Sequence, residues 1–463
     1  MGQFAVQGHQ PLSDTGGILA SGTLTFSRTG TITEKNAYSD KALTAAIANP
    51  YSLDASGRIA ANIFLLEDEG YRVVLKNSAG ATIWTRDEVF GLSLAVDERT
   101  RRRGVARSPM DHSATGDGVA NDATALAAAI TAIPTAGGVL DLEGRTYRCD
   151  STLTLKSGLT IRNGHIDFSN AAIAAGLSGA GTASEGVVIS SAVSQTFTLA
   201  SVTGLAAGNL LRTKSADVIA GTHKWAELWI IEQISGSTAI VNGVIAGTYT
   251  TTPLSELITP VSDVRFEDLR ITAPSAGYAV DMNLCQRVRM RNVRVTSTAA
   301  AESVRLTSCY DVRIDACSFD AKSSSEAGGL IVGDASRDVV VSDCHFERAL
   351  YPINIGDDWQ TDDGLTHEVT ISDCELIWCG QITLGQGSRR VRILDNTMEC
   401  DIVPSVTPLP AISVDGVDHE ICGNTIRGPT GEHVSVTQTL NSTYLTITDN
   451  TFTSGTIAVE INN

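Results

Sequence analysis

The sequence predicts an all-β fold dominated by a parallel β-helix, and three observations carry that expectation. An eight-residue pattern recurs from Val264, Val288, Val312, Val339, Val369, Val391, His419 and Leu445, with an earlier copy from Leu159. Its third position is filled by Phe266, Met290, Ile314, Val341, Ile371, Ile393, Ile421 and Ile447, and its eighth is apolar throughout. Its sixth position changes gradually, from Leu269 and Val293 through Cys317, Cys344 and Cys374 to Asn396, Asn424 and Asn450.

Apolar residues at positions one and three follow the period of two of a β-strand. The later copies lie 22 to 30 residues apart, a spacing that suits the coils of a solenoid. A sixth position in which like follows like implies stacking, because parallel strands lie about 4.8 Å apart. An inward Asn then exchanges hydrogen bonds with the Asn of the next coil, which offsets the cost of burying an amide. Three residues before each copy stand Cys285, Cys309, Ser336, Thr366, Ser388, Gly416 and Ser442, all small, as a tight corner requires. In the later coils a further short strand precedes that corner, at 330–332, 353–355, 382–384 and 412–414.

The entrance to the coils is legible too. Gly116-Asp117-Gly118 leads through Asn121 to Asp122, the expected N-cap of an Ala-rich helix over 123–133. Gly137 and Gly138 turn the chain into an alternating strand at 139–142, and Tyr147, Cys149 and the run 153–161 follow. These stretches, GDGVANDATALAAAI, GGVLDLEGRTYRC and LTLKSGLTIRNG, resemble the opening of the pectate-lyase-like β-helix of bacteriophage tailspikes. Glu143 departs from that pattern, which carries Pro after the strand, and the departure touches only a turn. The resemblance implies a right-handed β-helix in a virion tailspike or tail fibre, assembled in the host cytoplasm as a homotrimer. It also implies host surface polysaccharide as a partner, for which three copies supply avidity.

Residues 1–95 are different in kind: short alternating strands divided by Gly, Asn, Asp and Ser turns. They resemble the small β domains by which tail fibres attach to the particle, so tail or baseplate proteins are implied as partners. Residues 96–112 read as a neck or linker. Its Arg99, Arg101, Arg102, Arg103 and Arg107 are expected to pair with acidic neighbours or another subunit, and Val89, Leu92 and Val96 are spaced for a short helix. The β-helix entrance takes 113–174 and the regular coils 263–463. Between them, 175–262 lacks the repeat and reads as consecutive strands with Gly turns, an inserted small β-barrel. Its His223, Trp225 and Trp229 either face sugar or fill the core.

Composition narrows the function. With 34 Lys+Arg against 52 Asp+Glu and a net charge of −18, the chain lacks the basic faces that nucleic acid demands. No apolar run is long enough to insert in a membrane, and no signal segment opens the chain. The nine Cys show no Cys-x-x-Cys pair and read as reduced, buried thiols. No phosphate loop, zinc signature or nucleophile elbow appears, so no metal or cofactor is expected beyond a calcium ion that an acidic loop suits.

Carboxylates are therefore the groups to seek, since they hydrolyse glycosides or assist polysaccharide elimination. Beyond the short strands lie Gly333-Asp334, Gly356-Asp357-Asp358 and Gly385-Gln386-Gly387, one corner of three successive coils. Asp334 and Asp357 are thereby expected about 5 Å apart along the axis, near the spacing of a retaining pair. Asp334, Asp357 and Asp358 are the candidate catalytic residues, with Trp359, Gln386, Tyr351 and Trp378 as candidate polysaccharide contacts. Trp359 opens the longest late insertion, and loops on a rigid stack are where sites are built. The plain alternative is a solvated polar corner. Two functions follow: a depolymerase, hydrolase or lyase, or a non-catalytic receptor-binding or structural tail component. Repeats continuing to Asn463 leave no separate C-terminal module and favour the second. A free bacterial lyase is a third reading, disfavoured by the missing signal segment and the tail-like first domain.

Overall fold

The structure is a computed structural model that describes residues 2–5, 18–40, 44–65, 70–89, 106–220, 223–245, 247, 249–297, 302–321, 328–356, 364–400, 409–428, 432–437, 444–453 and 457–462. The chain divides into two units, Met1–Arg101 and Arg102–Asn463.

In the first unit, strands Tyr51–Ser52, Thr23–Arg28, Tyr71–Lys76 and Thr82–Val89 form a four-stranded antiparallel sheet in that order. Alternation buries Leu24, Phe26, Tyr71, Val73 and Leu75. Asn49 fastens a loop to this sheet, accepting from the Phe26 N–H at 3.0 Å and donating to its carbonyl at 2.6 Å. Val89 closes a strand, so no helix begins there; Leu92, Val96 and the run through Arg103 lie outside the described residues.

The second unit is the β-helix. A regular coil carries three strands, as in Arg337–Ser342, His345–Glu347 and Tyr351–Ile355. Among the described residues, first and second strands stack into one 20-stranded parallel sheet and third strands into a 10-stranded one. The repeat copies fall in register, with Val312 on Val339, Val339 on Val369 and Val369 on Val391. Positions one, three, six and eight point inward, and the coils share one continuous core from Ala114 to Val436.

The bend between first and second strands has a fixed cause. Position five is left-handed in Asn163, Asp268, Asn292, Ala316, Asp343, Asp373, Asp395, Gly423 and Asp449, with φ between 51° and 73°. Apart from Ala316, these are Asn, Asp and Gly, the residues that tolerate this conformation best. Position six then ties coil to coil. The Cys374 N–H donates to Asn396 Oδ1 at 2.9 Å, and the Asn396 N–H to Asn424 Oδ1 at 3.0 Å. Asn396 Nδ2 donates to Asn424 Oδ1 at 3.0 Å and Asn424 Nδ2 to Asn450 Oδ1 at 2.9 Å, the expected ladder.

At the entrance the helix spans Ala123–Ala132, but Asp122 does not cap it with its side chain. Its carboxylate instead accepts from the Thr115 and Gly116 N–H groups, at 2.7 and 3.0 Å, and so holds the loop before the helix. Asn121 Oδ1 takes the Ala123 N–H at 3.1 Å.

Strands from Thr182–Ala183 to Leu254–Thr259 form a separate seven-stranded antiparallel sheet, closed on itself where Leu210–Ala220 pairs with Leu254–Thr259. It is packed on the coils through Leu210, Ala226, Leu228 and Ile258, which share a cluster with Leu284 and Ala335. Arg337 joins the two layers. Its Nη1 donates to the Leu228 carbonyl at 3.2 Å, and its guanidinium lies 4.7 Å over the Trp229 ring.

Candidate functional site

The residue just before each repeat copy, up to that at His419, is also left-handed: Gly158, Asp263, Arg287, Asp311, Asp338, Glu368, Arg390 and Asp418, with φ between 50° and 74°. From Asp338 upward this column borders a cleft of about 810 Å³. Asp338, Glu368, Arg390, Asp418 and Tyr444 follow one another along one side. Val340, Thr370, Arg392, Glu420 and Thr446, the outward second positions of the same coils, follow along the other. Five coils are spanned, so the cleft runs about 19 Å along the helix axis. Tyr444 stands at its upper end, 74% exposed.

The charges in this cleft are paired. Glu368 accepts from Arg337 Nε at 2.8 Å and from Arg390 Nη1 at 3.2 Å. Arg389 Nε donates to Asp418 Oδ2 at 2.9 Å, Arg392 Nε lies 3.0 Å from Glu420 Oε2, and Arg313 Nη2 donates to Asp338 Oδ1 at 3.0 Å. The surface therefore sets charged donors of one coil between acceptors of its neighbours on a rigid stack, an arrangement suited to a ligand rich in hydroxyls. Arg337 is the link by which the inserted sheet bears on Glu368.

One pair beneath the cleft resembles a nucleophile and base but is neither. Ser388 Oγ and His419 Nε2 are 3.3 Å apart, both buried. His419 Nδ1 accepts from the Val391 N–H at 3.2 Å, which leaves the ring proton on Nε2 and makes it a donor to Ser388. Ser388 Oγ in turn donates to the Gly385 carbonyl at 2.6 Å. Burial pushes the His419 ring down to about 4, so it is neutral near pH 7. The pair braces a corner.

The candidate residues from the sequence are divided. Asp334 and Gln386 share one corner, with Gly356 on the coil between, whereas Asp357, Asp358 and Trp359 lie outside the described residues. The corner is crowded. Ser308 Oγ donates to the Asp334 carbonyl at 2.6 Å, Ala335 is buried against the inserted sheet, and Gly364 lies on the Asp334–Ala335 backbone. The Gly364 and Leu365 N–H groups donate to the carbonyls of Lys224 and Ala226, at 3.0 and 2.7 Å. Tyr351 and Trp378 sit at the opposite end of strand Tyr351–Ile355, about 15 Å of extended chain away. There the Arg348 N–H donates to Ile377 and the Gln381 N–H to Leu350, while Trp378 is 46% exposed. In the inserted sheet Trp229 is fully buried and donates to Thr213 Oγ1 at 3.1 Å, so it serves the core. Among the described residues no three His, Cys, Asp or Glu side chains come together to hold a metal. No helix among them is long and apolar enough to cross a membrane.

The column that borders the cleft was missed, though its signal is present. From the copy at Val264 to that at His419, the residue before each copy reads Asp263, Arg287, Asp311, Asp338, Glu368, Arg390 and Asp418, all charged.

No protein-family model matches the chain, and no curated protein matches it in sequence. Solved structures do match. The tailspike protein gp49 of Pseudomonas phage LKA1 aligns over 77% of this chain and 78% of its own, with 15% identity and a TM-score of 0.51. The tailspike gp61 of Pseudomonas phage phi297 aligns over 72% and 75%, at 14% identity and a TM-score of 0.45. The gp54 tailspike of Acinetobacter baumannii bacteriophage AP22, solved with a capsular saccharide, aligns over 83% and 72%, at 12% identity and a TM-score of 0.42. With its stacked three-strand coils and its match to gp49, this chain has the fold of a tailspike-like parallel β-helix protein.

Proposed function

We propose that the chain is a phage tail component that recognises a host surface polysaccharide in the cleft between Asp338 and Tyr444. The observation that carries this reading is the shape and chemistry of the cleft. It is elongated along the coil axis, lined by the guanidiniums of one coil set between carboxylates of the coils on either side, and ended by an exposed aromatic ring. A linear polymer of hydroxyl-rich units suits such a groove, and an aromatic face suits a sugar ring. The tailspike-like fold agrees with it at the level of architecture. In the same reading residues 1–95 attach to the tail and three copies assemble, which sedimentation of the purified protein tests. The function itself is tested by titrating the protein with surface polysaccharide from the host, expecting saturable binding.

Cleavage is a second reading, favoured by the register that brings Asp334 and Gln386 to one corner of the stack. Reducing ends and unsaturated products separate the cases. A hydrolase raises the first, a lyase both, and a binding protein neither.

A further inference from the structure

The cations of the cleft all belong to one coil. Arg389, Arg390 and Arg392 come from strand Ser388–Leu394, while the coils on either side supply Asp338, Glu368, Asp418 and Glu420. Each of the three guanidiniums engages its carboxylate through a single nitrogen: Nε of Arg389, Nη1 of Arg390 and Nε of Arg392. Their other N–H groups have no partner among the described residues. Three arginines elsewhere on the β-helix behave differently. Arg287 grips Asp263 with Nε and Nη2, Arg305 grips Asp281 with the same two atoms, and Arg337 grips Glu368 likewise. These three arginines close their forks on acids, and the cleft's arginines keep theirs open. Arg390 is 40% exposed and Arg392 60%, so the open edges are accessible.

An open guanidinium edge matches a planar group with two oxygens, which a neutral sugar lacks. A chain of net charge −18 repels polyanions as a whole, so one arginine-bearing coil at the middle of a groove is a local exception. We infer that the cleft is built for an acidic polysaccharide, with the carboxylate of one sugar docked on the free edges of Arg390 and Arg392. Hydroxyls of the neighbouring sugars then meet Glu368 on one side and Asp418 and Glu420 on the other. This rests on the polysaccharide reading above.

The test compares two probes made from one sample: host surface polysaccharide, and the same material after its carboxyl groups are reduced to alcohols. The native polymer is expected to bind about tenfold or more tightly than the reduced one. In Arg392→Gln that difference shrinks, mainly through loss of affinity for the native form, while thermal unfolding stays at the parental temperature. Equal binding of the two probes by the parent overturns the acidic-sugar inference and leaves polysaccharide recognition standing. Binding of neither probe takes down both.

Discussion

Arg337 and Trp229 belong to different layers, a coil strand and the inserted sheet, and meet with the guanidinium 4.7 Å over the indole ring. The same guanidinium holds the Leu228 carbonyl and Glu368, so one buried side chain locks the inserted sheet to the wall of the cleft. Arg337→Ala is expected to cost about 3 kcal/mol, because it leaves buried partners unmatched. Thermal unfolding measures this, and proteolysis within 182–259 should quicken. Arg337→Lys, which keeps the charge but not the fork, should fall between.

The amide ladder makes a second prediction. Asn424 Nδ2 donates to Asn450 Oδ1, to the Ile393 carbonyl at 2.8 Å and to the Cys422 carbonyl at 3.1 Å. Its Oδ1 accepts from the Asn396 N–H and side-chain amide. Asn424→Ala strands several of these groups in a dry column, at a cost of about 3 kcal/mol. A denaturant titration that shows parental stability would mean the ladder contributes nothing.

Thiol titration checks the core directly. Cys149, Cys285, Cys309, Cys317, Cys344, Cys374 and Cys379 are buried, and only Cys400 and Cys422 are partly open. Burial pushes the Cys379 thiol up to about 12, and hydrogen bonding to Cys344, then burial, also raises that of Cys317. The native protein should label quickly at no more than Cys400 and Cys422, and the denatured protein at all nine.

Much of this architecture is legible in the sequence, for a physical reason. A coil that must stack on its neighbours every 4.8 Å demands like residues at like positions, so Val339, Cys344 and Phe346 announce their own surroundings. The Asn396–Asn424–Asn450 ladder was legible for the same reason. Asp122 was misjudged because a carboxylate beside a helix start also suits the loop N–H groups of Thr115 and Gly116, and those won. The candidate corner could be aligned coil by coil from sequence. That Ala335 is buried there, under a sheet contributed by residues some hundred positions earlier, could not. The cleft was harder still, since outward charged residues on strands are ordinarily just solvated. What marks Glu368 and Arg390 is a shared left-handed backbone and the bond between them, which only the fold reveals.

Two buried imidazoles predict an acid response. His419 is held down to about 4 and His367 well below its ordinary value, in both cases chiefly by burial, with Arg337, Arg390 and Arg389 adding to it at His367. His367 also lies against Trp229, ring centroids 5.9 Å apart. Both rings stay neutral in the folded chain while the unfolded chain takes up protons below about pH 6.5. Stability therefore falls as pH falls, by about 1.5 kcal/mol for His419 between pH 6.5 and 5, and His367 acts in the same direction. Denaturant unfolding across that window should show the slope, and His419→Gln should make it shallower.

The central claim is that polysaccharide is bound in the cleft. Tyr444 tests it most directly, because a side chain 74% exposed carries little of the fold's stability. Affinity for host surface polysaccharide should be measured for the parent and for Tyr444→Ala under one condition. The account predicts about tenfold weaker binding with an unchanged unfolding temperature. Parental affinity in that variant would contradict it and place the binding site elsewhere on the molecule.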